Sequence, residues 1–199
     1  MMESFGQKAI EQEAELIVGE VVSISHSSER VNSITLTDST RIYCDSIVNG
    51  AGTRGDQIAA MTGLKIPVEP RKRTTFVFKS SNSPQGNAAI GNGKLPLMID
   101  SSRVFCRPEG DAFLADISPD PDKETDPDDL GPVYDQFEDI WINLADRSKN
   151  FEANKMLSCW AEHYDYNTSD QNAIVGLHGQ ISHFYFANGF PVMDFSRRR

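Results

Sequence analysis

Three glycines are the first residues in this sequence that could do chemistry. Gly50-x-Gly52-x-x-Gly55 follows a strand-like run and opens a helix-like one, the context of a dinucleotide-binding turn. Glycines at that spacing let backbone approach a pyrophosphate at a helix N-terminus. The runs before it read as a meander, however, and the fingerprint belongs to the first strand of a βαβ unit. On the residues alone, a glycine turn packed close to a cofactor or to another strand is the better reading. Trp160, Tyr164 and Tyr166 fall at even spacing, as one face of a strand does, and by themselves they read as core. His178 and His183 stand five apart with no acidic motif beside them, so no metal is expected. Arg71-Lys72-Arg73 reads as a solvated strand edge rather than an anion site. Asp120, Asp122, Glu124, Asp126, Asp128 and Asp129 crowd one loop without the glycine and terminal glutamate of an EF-hand, and a solvated acidic loop is expected. Cys44, Cys106 and Cys159 are far apart and read as free thiols in a reducing compartment.

The elements that must position these residues follow from periodicity. Glu3–Glu15 reads as a short helix with Phe5, Ala9 and Ile10 on one face. Leu16–Ser25, Arg30–Thr37 and Thr40–Asn49 read as three strands joined by polar turns, hence a meander. A helix is expected over Asp56–Thr62, ended by Gly63, and a strand over Lys72–Lys79. Ser80–Gly93 reads as loop, and strands are expected at Leu97–Ile99, Val104–Arg107 and Ala112–Ile117. Val133–Leu144 is amphipathic, with Phe137, Ile140, Trp141 and Leu144 at helical spacing. Strand-like runs alternate with turns from Met156 to Phe190.

Composition bounds the function. The 199 residues carry 19 Lys and Arg against 29 Asp and Glu, a formal net charge of −10. Nucleic-acid backbones need clustered positive charge, so no nucleic-acid partner is expected. No apolar run reaches the ~18 residues of a spanning helix, and no secretory signal is visible. The chain is therefore expected not to be secreted: cytoplasmic if bacterial, mitochondrial if eukaryotic. The length suits one domain or two small ones.

Several runs together carry a resemblance. Ile47-Val48-Asn49-Gly50-Ala51-Gly52 resembles the second glycine motif of the FAD-dependent amine and amino-acid oxidoreductases, relatives of sarcosine oxidase, glycine oxidase and D-amino-acid oxidase. Ile66–Arg73, Trp160–Asn172 and Phe184–Phe190 narrow it to the branch associated with respiratory complex I assembly. The resemblance implies a mixed α/β (α+β) fold: an FAD-binding domain of the glutathione-reductase-like type plus an antiparallel-sheet substrate domain. Residues 1–64 and the returning 159–190 would belong to the first, residues 65–158 to the second, and 191–199 would be a tail. The implied activity is oxidation of a C–N bond in a small amine or amino acid by hydride transfer to flavin.

The resemblance also implies site residues. Val21, Ala51, Gly52 and Gly189 would meet FAD. His163 stands about where relatives bond flavin through a cysteine, so FAD would be non-covalent. Tyr164 and Tyr166 would lie near the substrate face of the ring and are the catalytic candidates. Leu114 stands about where oxidases carry an oxygen-activating lysine, which implies dehydrogenase-like behaviour. Thr53-Arg54, Asp116 and Glu162 depart from the family pattern, the last two standing at usual glycines, where a charge clashes or is buried unpaired. The family's first GxGxxG segment has no counterpart before Phe5, and its Ser-Gly-His-Gly segment none after Phe190. An incomplete FAD site, unable to hold FAD alone, is therefore expected. A protein partner completing the fold, a non-catalytic assembly protein and a decayed fragment remain open beside the enzyme.

Overall fold

The computed structural model describes residues 2–27, 30–84 and 95–190. Most of the expected Ser80–Gly93 loop and the expected tail lie outside them. The fold is mixed α/β. Strands β1 (Val21–His26), β2 (Val31–Leu36) and β3 (Arg41–Tyr43) form the expected antiparallel meander. The first strand begins later than its apolar run, because the β2 ladder ends at the Val21–Leu36 pair. Leu16, Ile17 and Val18 are left exposed ahead of it. Helix α1 (Met2–Glu11) likewise leaves Phe5 and Ile10 exposed.

The expected Thr40–Asn49 strand is two strands. The polar Asp45-Ser46 break ends the meander, and β4 (Ile47–Asn49) joins a different sheet. There it pairs in parallel with β11 (Phe184–Asn188), which pairs antiparallel with β10 (Ile174–Leu177). The strand entering the glycine turn thus stands outside the meander. A short 3-10 turn (Gly52–Arg54) and α2 (Gly55–Ala60) follow it. One core lies here, built from Ile24, Val31, Ala59, Leu64, Ile66 and Phe184 with their neighbours.

The largest sheet has five strands in the order β6 (Met98–Ile99), β7 (Val104–Glu109), β8 (Ala112–Ile117), β5 (Val68–Ser80), β9 (Asn154–Asn167). All its pairs are antiparallel. Its 13-residue strand β5 is interior, so Arg71-Lys72-Arg73 is not a solvated edge. Helix α3 (Gln136–Arg147) covers one face through Ile140 and Leu144. It starts three residues later than its apolar spacing: turns in which Gln136 and Phe137 donate to the Val133 and Tyr134 carbonyls lead into it, and the Val133 amide donates to Thr74 Oγ1 (3.0 Å). Phe76, Phe78, Phe113, Phe137 and Phe151 close that second core with ring centroids 5.1–6.2 Å apart. The acidic loop is not simply solvated. Asp120, Asp122, Asp128 and Asp129 take Arg103, Arg73, Arg54 and Lys72, strapping the loop to the sheet and to the glycine turn. Cys44, Cys106 and Cys159 are free thiols, and burial pushes the Cys106 thiol up to about 12.

Candidate functional site

Side chains alternate across a strand, so a sheet with one face in the core presents its alternate residues on the other. Phe76, Phe78 and Cys159 face α3, while Arg71, Arg73, Thr75, Trp160, Glu162, Tyr164 and Tyr166 share the opposite face. The register sets Arg71 opposite Tyr164, Arg73 opposite Glu162 and Thr75 opposite Trp160. From the other side, β7 brings Phe105 opposite Asp116 and Arg107 opposite Leu114. This face lines a cavity of about 480 Å³, with Arg73, Phe105, Leu114, Asp116, Trp160 and Glu162 among its walls.

Its charges are unevenly satisfied. The Arg73 side chain is 6% exposed and bidentate to Asp122, at 2.6 and 3.0 Å. It also donates to the Tyr164 hydroxyl, with its guanidinium carbon 4.7 Å from the Tyr164 ring centroid. The Arg71 guanidinium carbon lies 5.0 Å from the Tyr166 ring centroid, and Arg71 pairs with Glu69 at 2.6 Å. Aromatic faces and carboxylates offset what two buried guanidiniums lose in hydration. Arg103 and Arg107 on the wall bind Asp120 and Glu109. The two wall carboxylates differ. Glu162 accepts from Thr75 Oγ1 at 3.0 Å. Asp116 has no hydrogen bond or ion pair among the described residues, and burial raises its carboxyl to about 6, with Arg73 opposing and Glu162 adding to the rise.

The glycine turn forms a second locality. Gly52 has φ +55°, and a Cβ at Gly50 or Gly52 would meet open space, so the backbone there is accessible from outside. The Asn49 side chain fixes the turn, donating to the Gly55 carbonyl at 2.8 Å and accepting from the Ala51 amide at 3.2 Å. Gly55 serves a different purpose. A Cβ there would sit 2.5 Å from Asn188 Nδ2, so Gly55 lets the helix press against the end of β11. Asn188 is fully buried, and both its amide atoms lack partners among the described residues. Gly189 follows with φ +68°, its amide held by Asp165 at 2.5 Å.

Of the residues singled out in the sequence, Ala51 and Gly52 lie in the glycine turn, which adjoins the Asn188-Gly189 end of β11 through Gly55. Val21 packs on the first core at the start of β1. Tyr164 lines the cavity, and Tyr166 lies beyond it with its ring centroid 6.3 Å from that of Tyr164. His163 sits opposite Lys72 and also lines the cavity, with Nε2 buried and without a partner among the described residues. Sequence reasoning missed Thr75, Arg103, Phe105 and Arg107. The alternation Phe105-x-Arg107 was the available signal, since it puts two large side chains on one strand face.

Comparison with known proteins places this geometry. A family model described as "DAO: FAD dependent oxidoreductase" matches residues 1–195. FAD-dependent oxidoreductase domain-containing protein 1 of Bos taurus is 39% identical over 163 residues, 75% of this chain and 32% of that protein. Its Xenopus laevis counterpart is 34% identical over 167 residues, 77% of this chain and 32% of that one. The chain thus spans about a third of the length of these curated relatives. Among solved structures, L-proline dehydrogenase from P. horikoshii matches 94% of this chain and 48% of its own, with TM-score 0.75 and 21% identity. Glycine oxidase from Geobacillus kaustophilus matches 86% and 42%, with TM-score 0.62 and 16% identity. These two show a shared fold. With a family match over nearly its whole length, the chain belongs to the DAO family of FAD-dependent oxidoreductases, whose cofactor is FAD.

Proposed function

We propose that the protein oxidises a C–N bond of a small amine or amino acid, with FAD as hydride acceptor and the cavity over β5, β8 and β9 as substrate site. The observation that carries this reading is the cavity itself, an aromatic and charged pocket on the uncovered face of the large sheet. In this reading residues 65–158 supply most of the substrate domain, and residues 1–64 with 159–190 belong to the FAD domain. Two observations fit the cofactor: the open backbone at Gly50 and Gly52, and the unpartnered Asn188 amide behind Gly55. Ala51 and Gly52 would hold the dinucleotide, with Val21, His163 and Gly189 as further contacts. Bound non-covalently, FAD supplies the acceptor for two electrons and a proton as hydride.

The chain's own part is positioning. Trp160, Phe105 and Tyr164 wall the substrate, and a held pose near the reacting geometry lowers the entropic barrier. Arg73, locked by Asp122 and Tyr164, keeps a fixed positive charge beside the cavity without reorganising during reaction. Asp116, with its carboxyl raised to about 6, is suited to accept the proton an amine must lose before oxidation. Leu114 on the wall offers no cation for activating oxygen, which supports a dehydrogenase rather than a fast oxidase.

The visible spectrum of the purified protein, before and after adding FAD and desalting, tests the cofactor. Retained oxidised-flavin bands near ~450 and ~375 nm are what this reading requires, against the incomplete site expected from the sequence. A colourless protein would overturn FAD-dependent function for this chain. A second reading, an interaction protein without turnover, is supported by one exposed apolar row. Leu177, Tyr185 and Val48 stand directly across three strands, with Val175 beside them at 70% exposure. Co-purification of a stoichiometric protein partner with a colourless chain would favour it.

A further inference from the structure

The cavity's ionic balance points to a substrate class within the function proposed above, on which this inference rests. Arg73, Arg103 and Arg107 line the cavity, yet each guanidinium is held by a carboxylate that does not: Asp122, Asp120 and Glu109. The wall carboxylates make no ion pair among the described residues, although Arg73 stands near enough to oppose the rise of the Asp116 carboxyl. Arg73 stands opposite Glu162 on the neighbouring strand, but its fork is turned to Asp122. Glu162 is held only by the Thr75 hydroxyl, and Asp116 by nothing among the described residues. Asp116 and Glu162 come from strands on either side of β5 and reach the same cavity, with Phe105 opposite Asp116 and Trp160 two residues from Glu162.

We infer that this pocket takes a small amine as its ammonium cation, held between Asp116 and Glu162 against the aromatic faces of Trp160 and Phe105. Two carboxylates without a direct ion pair are incompletely compensated in a partly buried site, and an entering ammonium completes them. Aromatic faces add attraction for the same charge and none for a carboxylate. An α-amino acid needs in addition a cation for its own carboxylate. Here the buried cation, Arg73, is already bidentate and stacked, so displacing Asp122 would strand a buried charge. The pocket therefore prefers an amine that lacks an adjacent carboxylate. Asp116 and Glu162 are the specificity-determining residues.

The protein's two tryptophans make the test direct. Trp160 lines the cavity, whereas the Trp141 indole on α3 donates to the Glu152 carbonyl at 3.2 Å, on the helix that covers the other face. Their indole N–H signals, followed by NMR on the full chain at neutral pH, report the cavity and a control site separately. Titration with butylamine should shift the Trp160 signal saturably and leave Trp141 in place. Butanol and butyrate should shift neither, and 2-aminobutyrate should bind at least tenfold more weakly than butylamine, the factor worth one charged hydrogen bond. Glu162→Gln and Asp116→Asn should each weaken butylamine roughly tenfold. The two are tested separately, so one misfolded variant leaves the other as the test.

A Trp160 signal that ignores butylamine would overturn the inference. So would binding of butyrate, binding of 2-aminobutyrate as tight as that of butylamine, or butylamine binding unchanged in a folded variant. Failure of the underlying oxidation looks different: butylamine would bind as described and yet leave the flavin of the FAD-loaded protein oxidised.

Discussion

Replacing Asp116 by Asn should make the protein more stable at alkaline pH and leave it unchanged in acid. Burial raises the Asp116 carboxyl from the ordinary 3.8 to about 6, so the folded state holds its proton more tightly than the unfolded chain does. Between those values the folded state binds more protons, and stability falls as pH rises. At about pH 8 the folded protein carries the full penalty of a buried carboxylate, up to ~3 kcal/mol at ~1.4 kcal/mol per pH unit. Asparagine has the same shape and never ionises, so the variant escapes that penalty. Near pH 4 the wild-type carboxyl is protonated when folded, and the two proteins converge. The groups facing Asp116 set the size of the effect. Glu162 raises its carboxyl pKa and Arg73 lowers it, while Phe105 from β7 withholds water. Glu162→Gln should therefore flatten the dependence. Urea unfolding at about pH 4, 6 and 8 is the assay, and with slopes of ~1–3 kcal/mol/M the midpoint should move by about 1 M or more at pH 8. A variant less stable than wild type at pH 8, or a gap constant across pH, would refute the reasoning. A stabilising loss of this kind is expected where a residue is retained for binding at the expense of stability.

Other consequences follow from the packing. Arg73→Met should destabilise by about 3 kcal/mol by stranding Asp122, and adding Asp122→Leu should recover most of that loss in chemical denaturation. Gly55→Ala should lower stability by ~1–3 kcal/mol, because its backbone is helical and the methyl is blocked by side chains, Asn188 and, at 3.3 Å, Ile66. Gly52→Ala meets no atom but must hold φ +55°, at a cost of about 1–2 kcal/mol; its effect on retained FAD absorbance should exceed that of Gly55→Ala. Phe78→Ala empties the centre of the aromatic core, where Phe78 is 0% exposed and meets three other rings, and should cost ~3–5 kcal/mol in thermal or urea unfolding.

Periodicity alone located the meander strand Val31–Leu36, the strand Ala112–Ile117 and most of α3, where one face of each is buried and the alternation survives. It failed where long-range pairing decides. Nothing local in Thr40–Asn49 says that its first half pairs with β2 and its second with a strand some 140 residues later. Arg71 and Arg73 misled for a related reason. Charge reads as surface in a sequence, yet here each guanidinium lies on a tyrosine ring and meets a carboxylate, Arg71 that of Glu69 on its own strand and Arg73 that of Asp122 from the acidic loop. The same loop looked like solvated punctuation because its cations come from four distant positions. The resemblance of the aromatic and glycine runs supplied the family, and it marked Asp116 and Glu162 as odd. It could not reveal that the two oddities line one cavity from the strands on either side of β5.

The central claim is that this cavity serves C–N bond oxidation by FAD. Anaerobic mixing of the FAD-loaded protein with butylamine, and with butylamine deuterated at the carbon bearing nitrogen, tests it most directly. Loss of the flavin band near ~450 nm is expected, slowed by the deuterium because that C–H bond is the one broken. A band that persists with amines and amino acids alike, on protein that has retained FAD, would contradict it.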